Sequence, residues 1–320
     1  NGKIDLTQAE GINDLINSET ESQFKLSISY YEGALYEKLK LWRSDVIFLL
    51  SKLEALIDFS DEELPQEIED LFKKKLSYLS KEMRNSIRSS TYGERIRNGF
   101  IITIVGKPNV GKSSLINYLS NKNVAIVTEE AGTTRDVLEV LLDFEGFPVI
   151  LNDTAGLRKT NSNVEKIGIK KALKKAEASD IILILSDCGD FSVPEFKSRA
   201  KKILVHTKSD LKKQYKDDRH KISVKKHKGI EELIKIIVDY LKILTPKDDV
   251  LLTRKRHVQS IKKAVSVLKQ VSTINLTNNP ELAAEELRVA ATEIGNVTNI
   301  IDVEEILDDI FNDFCIGKWV

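Results

Sequence analysis

The sequence contains few of the residues that build disulfide-linked or metal-bound scaffolds. Among 320 residues there are two cysteines, Cys188 and Cys315, and four histidines, whose spacing does not suit a metal site. Two cysteines cannot form a disulfide framework, so both thiols are expected to be reduced. No run approaches 18 apolar residues and no signal peptide is visible, so we predict a cytoplasmic chain without membrane contact.

An excess of either charge is also absent. Lysine and arginine number 49 and so do aspartate and glutamate, which gives a formal net charge of +0. Any contact with RNA must therefore come from a local patch. Two basic clusters are candidates, one of them a predicted helix face and the other a short run: Lys170, Lys171, Lys174 and Lys175; Arg254, Lys255 and Arg256. For both clusters a solvated charged surface is the interpretation we favour.

Apolar periodicity divides the chain into three parts. Spacings of three and four predict helices over residues 7–92, and helices return over 251–275, 280–294 and 301–313. Between them lie short apolar runs typical of buried strands. Helical segments separate most of these runs, around 112–121, 164–178, 193–201 and 229–243. The runs are at 100–105, 137–144, 148–152, 181–186, 203–206 and 220–224. The second and third flank Glu145 and Gly146 too closely for a crossover, which predicts an antiparallel hairpin in a mostly parallel sheet.

The first of these strands leads into a phosphate-binding motif. Residues 106–113 read G-K-P-N-V-G-K-S, which matches G-x-x-x-x-G-K-[ST] between a predicted strand and a predicted helix. Main-chain N–H groups of such a loop surround the phosphates, the lysine reaches the β- and γ-phosphates, and the serine hydroxyl ligates Mg²⁺. The predicted nucleotide contacts are Asn109, Val110, Gly111, Lys112, Ser113 and Ser114, with Ser113 as the magnesium ligand.

Two further segments fit the magnesium and γ-phosphate side of such a site. Asp153 ends an apolar strand and begins the sequence D-T-A-G, which places a carboxylate near Mg²⁺ and a flexible Gly156 where the next loop senses the γ-phosphate. Residues 132–136, G-T-T-R-D, offer a threonine that would complete the magnesium shell.

The predicted base-binding segment is T-K-S-D, residues 207–210. The Asp210 carboxylate can accept hydrogen bonds from the guanine N1–H and amino groups, which adenine does not offer. Thr207 stands where such motifs usually have an asparagine that braces the phosphate loop, and Lys208 follows it. A second segment, Ser223, Val224 and Lys225, is predicted to contact the base through its backbone. These residues favour GTP over ATP.

The glutamine that usually orients the attacking water is missing. Leu157 occupies that position, and leucine cannot hold water, so hydrolysis must recruit another group. Glu165 is the candidate carboxylate. The competing interpretation is that Glu165, in the first turn of a predicted helix, only complements the helix dipole.

Three segments together resemble one family, the tRNA-modification GTPase MnmE, also called TrmE. Residues 314–318, F-C-I-G-K, are similar to the family's Cys-Ile-Gly-Lys ending, residues 1–10 to the entry into its helical domain, and 153–158 with 164–168 to its switch region. The resemblance implies a Ras-like P-loop GTPase domain of the α/β class, over residues 98–248, inserted into an all-α helical domain. The helical parts are residues 1–97 and 249–320. An amino-terminal domain that binds a tetrahydrofolate derivative and dimerises is expected ahead of residue 1.

The resemblance also assigns roles to individual residues. It implies that K⁺ is held by Asn109, Thr128, Glu130 and Thr133, and that Thr134 ligates Mg²⁺. Glu165 would orient the attacking water indirectly, and Cys315 would act as a nucleophile or stabilise a reactive one-carbon unit. A terminal cysteine without a role is the alternative for Cys315.

The implied assembly is a homodimer that joins nucleotide domains and works with the FAD-dependent protein MnmG, or GidA, on the wobble uridine of tRNA. A ribosome-assembly GTPase like Era or EngA is the competing function. It would need a Gly-x-x-Gly loop in an RNA-binding domain, and the only glycines after residue 246 are Gly295 and Gly317. A scaffold that binds GTP without hydrolysing it is the third possibility.

Overall fold

A computed structural model describes residues 4–58, 66–122, 139–153, 177–192, 198–211, 217–246 and 251–298. The side chains of residues 66–68, Glu139 and Asp153 are not among those described. None of the described helices is long and apolar enough to span a membrane.

The described chain forms two compact units. One contains residues 1–17, 25–94 and 246–320, and the other contains residues 18–24 and 95–245. That each folds independently as a domain, with boundaries at 97 and 248, stays a prediction. The first unit is helical. Its helices are α1 (Leu6–Ile16), α2 (Glu21–Tyr31), α3 (Ala34–Asp58), α4 (Gln66–Asn98), α7 (Lys255–Val271) and α8 (Pro280–Thr298), with the first turn of α2 and the last turn of α4 in the other unit.

The second unit contains the sheet. Its elements are β1 (Phe100–Gly106), α5 (Lys112–Lys122), β2 (Glu139–Phe144), β3 (Phe147–Asp153), β4 (Ile181–Ser186), β5 (Lys201–His206), β6 (His220–Lys221) and α6 (Ile230–Leu244). The described strands pair in the order β2-β3-β1-β4-β5-β6. All neighbours are parallel except β2 and β3, where Phe144 pairs with Phe147 across the predicted hairpin. The mixed, mostly parallel sheet is therefore confirmed.

Two local predictions in this unit are wrong. The helix expected over residues 193–201 is not present in its described part, because Lys201 already begins β5 and pairs with Ile181. The strand expected over residues 220–224 ends at Lys221, since the chain turns there and the backbone of Ser223 pairs with Lys228. Residues 164–176 and 301–313, also predicted to be helical, lie outside the described residues.

A short segment near the start of the chain belongs to the sheet unit, which the sequence did not predict. The Ser22 hydroxyl and main-chain N–H both donate to the carbonyl of Gly146 in the β2–β3 turn. Gln23 Nε2 donates to the carbonyl of Arg97 at 3.1 Å. Residues 18–24 are thus hydrogen-bonded both to the edge hairpin and to the end of α4.

The helical core is built mainly from aliphatic faces of α3, α4, α7 and α8. Leu49, Leu50 and Leu79 are fully buried in it, and Trp42 is nearly so. Along α8 the buried positions include alanines, which allow its backbone to approach α3 and α7 closely. Those alanines are Ala283, Ala284, Ala290 and Ala291. This packing supplies the apolar burial on which the helical unit depends.

A buried ionic cluster joins α1 to the start of α7. Arg256 holds the Glu10 carboxylate with two hydrogen bonds of 2.8 Å, and His257 Nε2 lies 3.0 Å from the same group. Arg254 binds both oxygens of Asp14 at 2.8 Å. The cluster links residues about 240 positions apart, and so fixes the amino-terminal helix to the part of the unit that follows the sheet.

The same contacts correct the interpretation of residues 254–256. We expected a solvated basic face, with an RNA contact as the alternative. The side chains of Arg254 and Arg256 are only 17% and 35% exposed and are ion-paired, whereas Lys255 is 83% exposed. Neither arginine is therefore available to phosphates.

The cluster makes the helical unit sensitive to acid. Burial alone would raise the pKa of the Glu10 carboxyl, but hydrogen bonds from His257 and Arg256 and nearby positive charges outweigh it and lower the pKa to about 2. The pKa of His257 is also lowered, in this case by burial, which disfavours the charged imidazolium. A carboxyl group whose pKa is lower in the folded state stabilises the fold at any pH above its ordinary pKa. This stabilisation is lost as the pH falls from the ordinary pKa through the folded-state pKa.

We predict that Glu10→Gln destabilises the protein by about 3 kcal/mol at pH 7, because it leaves the partly buried Arg256 without its carboxylate and removes the charged partner of His257. Glu285→Gln is the matched control, since Glu285 is 67% exposed and pairs only at the surface with Arg288. Urea unfolding followed by circular dichroism measures both variants.

The cost of Glu10→Gln should shrink between pH 4.5 and pH 2, where the native carboxyl takes up its own proton. Equal stability of the two variants at pH 7 would contradict the assignment.

Candidate functional site

The predicted phosphate loop lies at the centre of the sheet. It joins Gly106, the last residue of β1, to Lys112, the first residue of α5. β1 is flanked by β3 and β4, and Ile104 is in register with Asp153 at the end of β3. The carboxyl ends of the parallel strands therefore bring together the loop, the backbone of Asp153 and the segment after β5, which is where such sheets bind ligands.

Two glycines allow the loop to take its path. A Cβ on Gly106 would lie 2.5 Å from the main-chain oxygen of Leu185 in β4, a contact that backbone cannot relieve. Gly111 has open space around it but a φ of +103°, which disfavours any other residue. Asn109, with a φ of 60°, adds a second left-handed residue. In other proteins, successive residues of alternating handedness turn main-chain N–H groups towards one side and form anion-binding concavities.

Lys112 supplies positive charge inside this loop. Its side chain is 7% exposed, and Nζ donates to the carbonyls of Gly106 and Lys107, both at 2.8 Å. A buried ammonium is costly unless it is hydrogen-bonded, and these carbonyls hold it over the loop. The next residues, Ser113 and Ser114, are exposed in the first turn of α5, so the Ser113 hydroxyl is accessible to a metal ion.

Thr207 braces the phosphate loop. Its Oγ1 donates to the carbonyl of Val110 at 2.7 Å, and both residues are buried, with 3% and 1% exposure. The threonine that stands in place of the usual asparagine therefore performs the bracing itself. One hydrogen bond links the base-binding segment to the phosphate-binding one.

Asp210 is held ionised and oriented by Ser223. The Ser223 hydroxyl donates to Asp210 Oδ1 at 2.6 Å, and this bond, with nearby positive charges, lowers the pKa of Asp210. An ionised carboxylate is the form that accepts two hydrogen bonds from a guanine edge. We expected only a backbone contact from Ser223, Val224 and Lys225, so the side-chain role of Ser223 is an addition.

Two aspartates after β4 join the site and were missed by sequence reasoning. Asp187 Oδ2 accepts from Lys208 Nζ at 2.9 Å, and Asp190 pairs with Lys107 of the phosphate loop. Their position directly after a buried parallel strand was the signal that could have identified them. These pairs tie the loop after β4 to both nucleotide-binding motifs.

Several predicted site residues lie outside the described residues. They are Thr128, Glu130, Thr133, Thr134, Gly156, Glu165 and Cys315, together with the lysines at 170, 171, 174 and 175. For Asp153 the backbone is placed and the side chain is not described. Among the residues that are described, no group of three or more histidine, cysteine, aspartate or glutamate side chains could hold a metal ion.

Comparison with known proteins assigns the family. The sequence profile of the MnmE helical domain matches residues 6–315. The tRNA modification GTPase MnmE of Brucella anthropi is 41% identical over 99% of this chain and 73% of its own length, and that of Pelagibacter ubique is 43% identical over 99% and 74%. The chain belongs to the MnmE family.

The MnmE assignment agrees with the observed architecture, a Ras-like P-loop fold in which the sheet unit interrupts a helical unit in sequence. Solved GTPase structures are also similar in part. Aquifex aeolicus Era is 25% identical, covers 52% of this chain and 66% of its own, and has a TM-score of 0.34. The G domain of T. maritima FeoB is 24% identical, covers 44% of this chain and 98% of its own, and has a TM-score of 0.31. Superpositions at these scores add nothing to the family assignment.

We predict that Thr207→Val weakens nucleotide binding and destabilises the sheet unit. Valine keeps the shape but leaves the buried Val110 carbonyl without its donor, which costs about 1–3 kcal/mol. GTP affinity should fall on the order of tenfold, since the loop loses its brace. Thr207→Ser keeps the hydroxyl and is the control. Fluorescent-nucleotide titration that gives the same affinity for the Val and Ser variants would refute the bracing role.

Proposed function

We propose that the chain binds GTP with Mg²⁺ and hydrolyses it as part of a tRNA-modifying enzyme. The observation that carries the proposal is the pair of contacts that organise the loop: Lys112 over the carbonyls of Gly106 and Lys107, and Thr207 on the carbonyl of Val110. The ionised Asp210 supports guanine over adenine. The relatives at 41% and 43% identity are named tRNA modification GTPases.

The residues present fit a magnesium–nucleotide complex. The Ser113 hydroxyl is exposed at the start of α5, beside the buried charge of Lys112. Together with Thr134 and Asp153 it would hold Mg²⁺ on the phosphates. The bound ion supplies charge neutralisation there. The chain itself contributes the N–H concavity, the Lys112 ammonium and the amino terminus of α5.

Hydrolysis in this proposal uses Glu165 and a monovalent cation. Leu157 replaces the water-orienting glutamine, so Glu165 would orient the attacking water indirectly. Asn109, exposed in the loop with a φ of 60°, would hold K⁺ together with Thr128, Glu130 and Thr133. A cation at this place neutralises charge that develops between the phosphates, as an arginine finger does in other GTPases.

The remaining functional proposals rest on the family resemblance. The GTPase would act as a homodimer in the cytoplasm with the FAD-dependent protein MnmG, or GidA, and add an aminomethyl-type group to the wobble uridine of tRNA. Cys315 would supply a thiolate near a tetrahydrofolate-derived one-carbon unit held by the amino-terminal domain. Family membership favours this function over a ribosome-assembly switch like Era or EngA.

GTP hydrolysis should depend on K⁺. In a phosphate-release assay with Mg²⁺, we expect turnover at least about tenfold faster in K⁺ than in Na⁺, because the larger ion suits main-chain and amide oxygen ligands around Asn109. Asn109→Ala should reduce the difference while Asn85→Ala, on the helical unit, leaves it unchanged. Equal rates in the two salts would remove the cation from the proposal.

Glu165→Ala should lower kcat by about 10²-fold or more and leave GTP affinity nearly unchanged, because the carboxylate acts on water in the transition state. Glu177→Ala is the control, since Glu177 is an exposed carboxylate in the same part of the chain. Single-turnover hydrolysis and nucleotide titration measure the two effects. An unchanged kcat would assign Glu165 to the helix dipole instead.

A further inference from the structure

An open groove with a volume of about 500 Å³ runs along the helical unit between α4 and the end of α7. The lining side chains include five that carry positive charge, and no aspartate or glutamate among the described residues lines it. The five are Lys73, Lys81, Arg84, Arg88 and Lys269, all of them exposed. We call this set the basic groove.

Four of the five charges lie on one face of α4. Their positions, 73, 81, 84 and 88, are separated by eight, three and four residues, which keeps them within one side of a helix. These four residues form a basic stripe that spans about 22 Å along the helix axis at 1.5 Å per residue. An array of this length is too long for one phosphate group and suits a polymer that carries repeated negative charges.

Carboxylates close to the stripe are already engaged. Glu82 is bound to Lys38 at 2.8 Å, and Glu69 to Lys73 at 2.5 Å. Lys73 is therefore partly neutralised. For Lys81, Arg84 and Arg88 the described part of the chain shows no carboxylate within ion-pair distance.

The apolar floor of the groove is not open to a ligand. Phe72, Leu76 and Leu276 are only 4%, 3% and 6% exposed, so they offer neither a stacking surface for bases nor an anchor pocket for a protein side chain. Among the other neutral lining side chains, Ile274 is partly exposed, and the hydroxyl-bearing Ser77 and Ser272 are exposed. Positive charges with hydroxyl donors match phosphate and sugar groups.

We propose that the basic groove binds the sugar–phosphate backbone of tRNA. The inference rests on the proposed function and names the surface that this function requires. A chain with a net charge of +0 needs a local basic surface to bind RNA, and five positive charges share this groove. An acidic protein partner is the competing occupant.

The test compares two triple variants of the whole chain. Lys81→Ala/Arg84→Ala/Arg88→Ala removes three charges from the groove, whereas Lys40→Ala/Lys74→Ala/Lys262→Ala removes three from exposed positions on the same unit outside it. The groove variant should bind tRNA at least about tenfold more weakly in a filter or anisotropy titration. Its plot of log affinity against log salt should flatten by about two to three units. The control variant should match the unsubstituted chain.

GTP hydrolysis is measured on the same samples, so that failure of the tRNA-binding groove can be distinguished from failure of the proposed function. Tight tRNA binding by the groove variant, or equal weakening of both variants, would overturn the groove while leaving the proposed function in place. No tRNA binding by the unsubstituted chain that hydrolyses GTP would overturn both. Lysine acetylation of the unsubstituted chain gives an independent readout, because tRNA should protect Lys81 and Lys269 but not Lys40 and Lys262. Absence of that protection would refute the groove.

Discussion

The site depends on one steric and hydrogen-bonding constraint at the end of β1. The loop takes its path only because Gly106 passes the Leu185 carbonyl without a Cβ. The Val110 carbonyl, which this turn buries, is satisfied by the Thr207 hydroxyl. Because Thr207 begins the segment that ends at Asp210, the same bond joins the predicted phosphate-binding loop to the predicted base-binding segment.

Ionised groups divide into two kinds in this molecule. In the helical unit Glu10, Arg254 and Arg256 are withdrawn from solvent and hold α1 to α7, so their charges serve structure. In the sheet unit Lys112 and Asp210 hydrogen-bond to neutral groups, main-chain carbonyls and a hydroxyl respectively.

The sequence predicted the parts of the fold that depend on local pattern. Apolar runs located the strands, the short distance across Glu145 and Gly146 predicted the antiparallel hairpin, and the motif of residues 106–113 located the phosphate loop. Contacts between distant residues were not predictable in this way. The hydrogen bond of Ser223 to Asp210 joins side chains 13 residues apart, and the Glu10 cluster joins the two ends of the described chain.

The basic groove was missed for the same reason. Its α4 residues share one helix face by spacing, but that helix carries many charges, and packing against the end of α7 shows that this face lines a groove with Lys269. Arg254 and Arg256, by contrast, formed a conspicuous basic run in the sequence and proved to be paired. Local charge density in the sequence therefore did not indicate which basic side chains are ion-paired in the folded chain.

The central claim is that this loop and Asp210 together form a guanine-nucleotide site. Isothermal titration calorimetry with Mg²⁺ tests it most directly, by comparing GTP and GDP with ATP on the same chain. The account predicts saturable binding of both guanine nucleotides, with ATP weaker on the order of 10⁴-fold because the adenine edge leaves the Asp210 carboxylate unpaired. Equal affinity for ATP and GTP, or no heat with either guanine nucleotide, would contradict it.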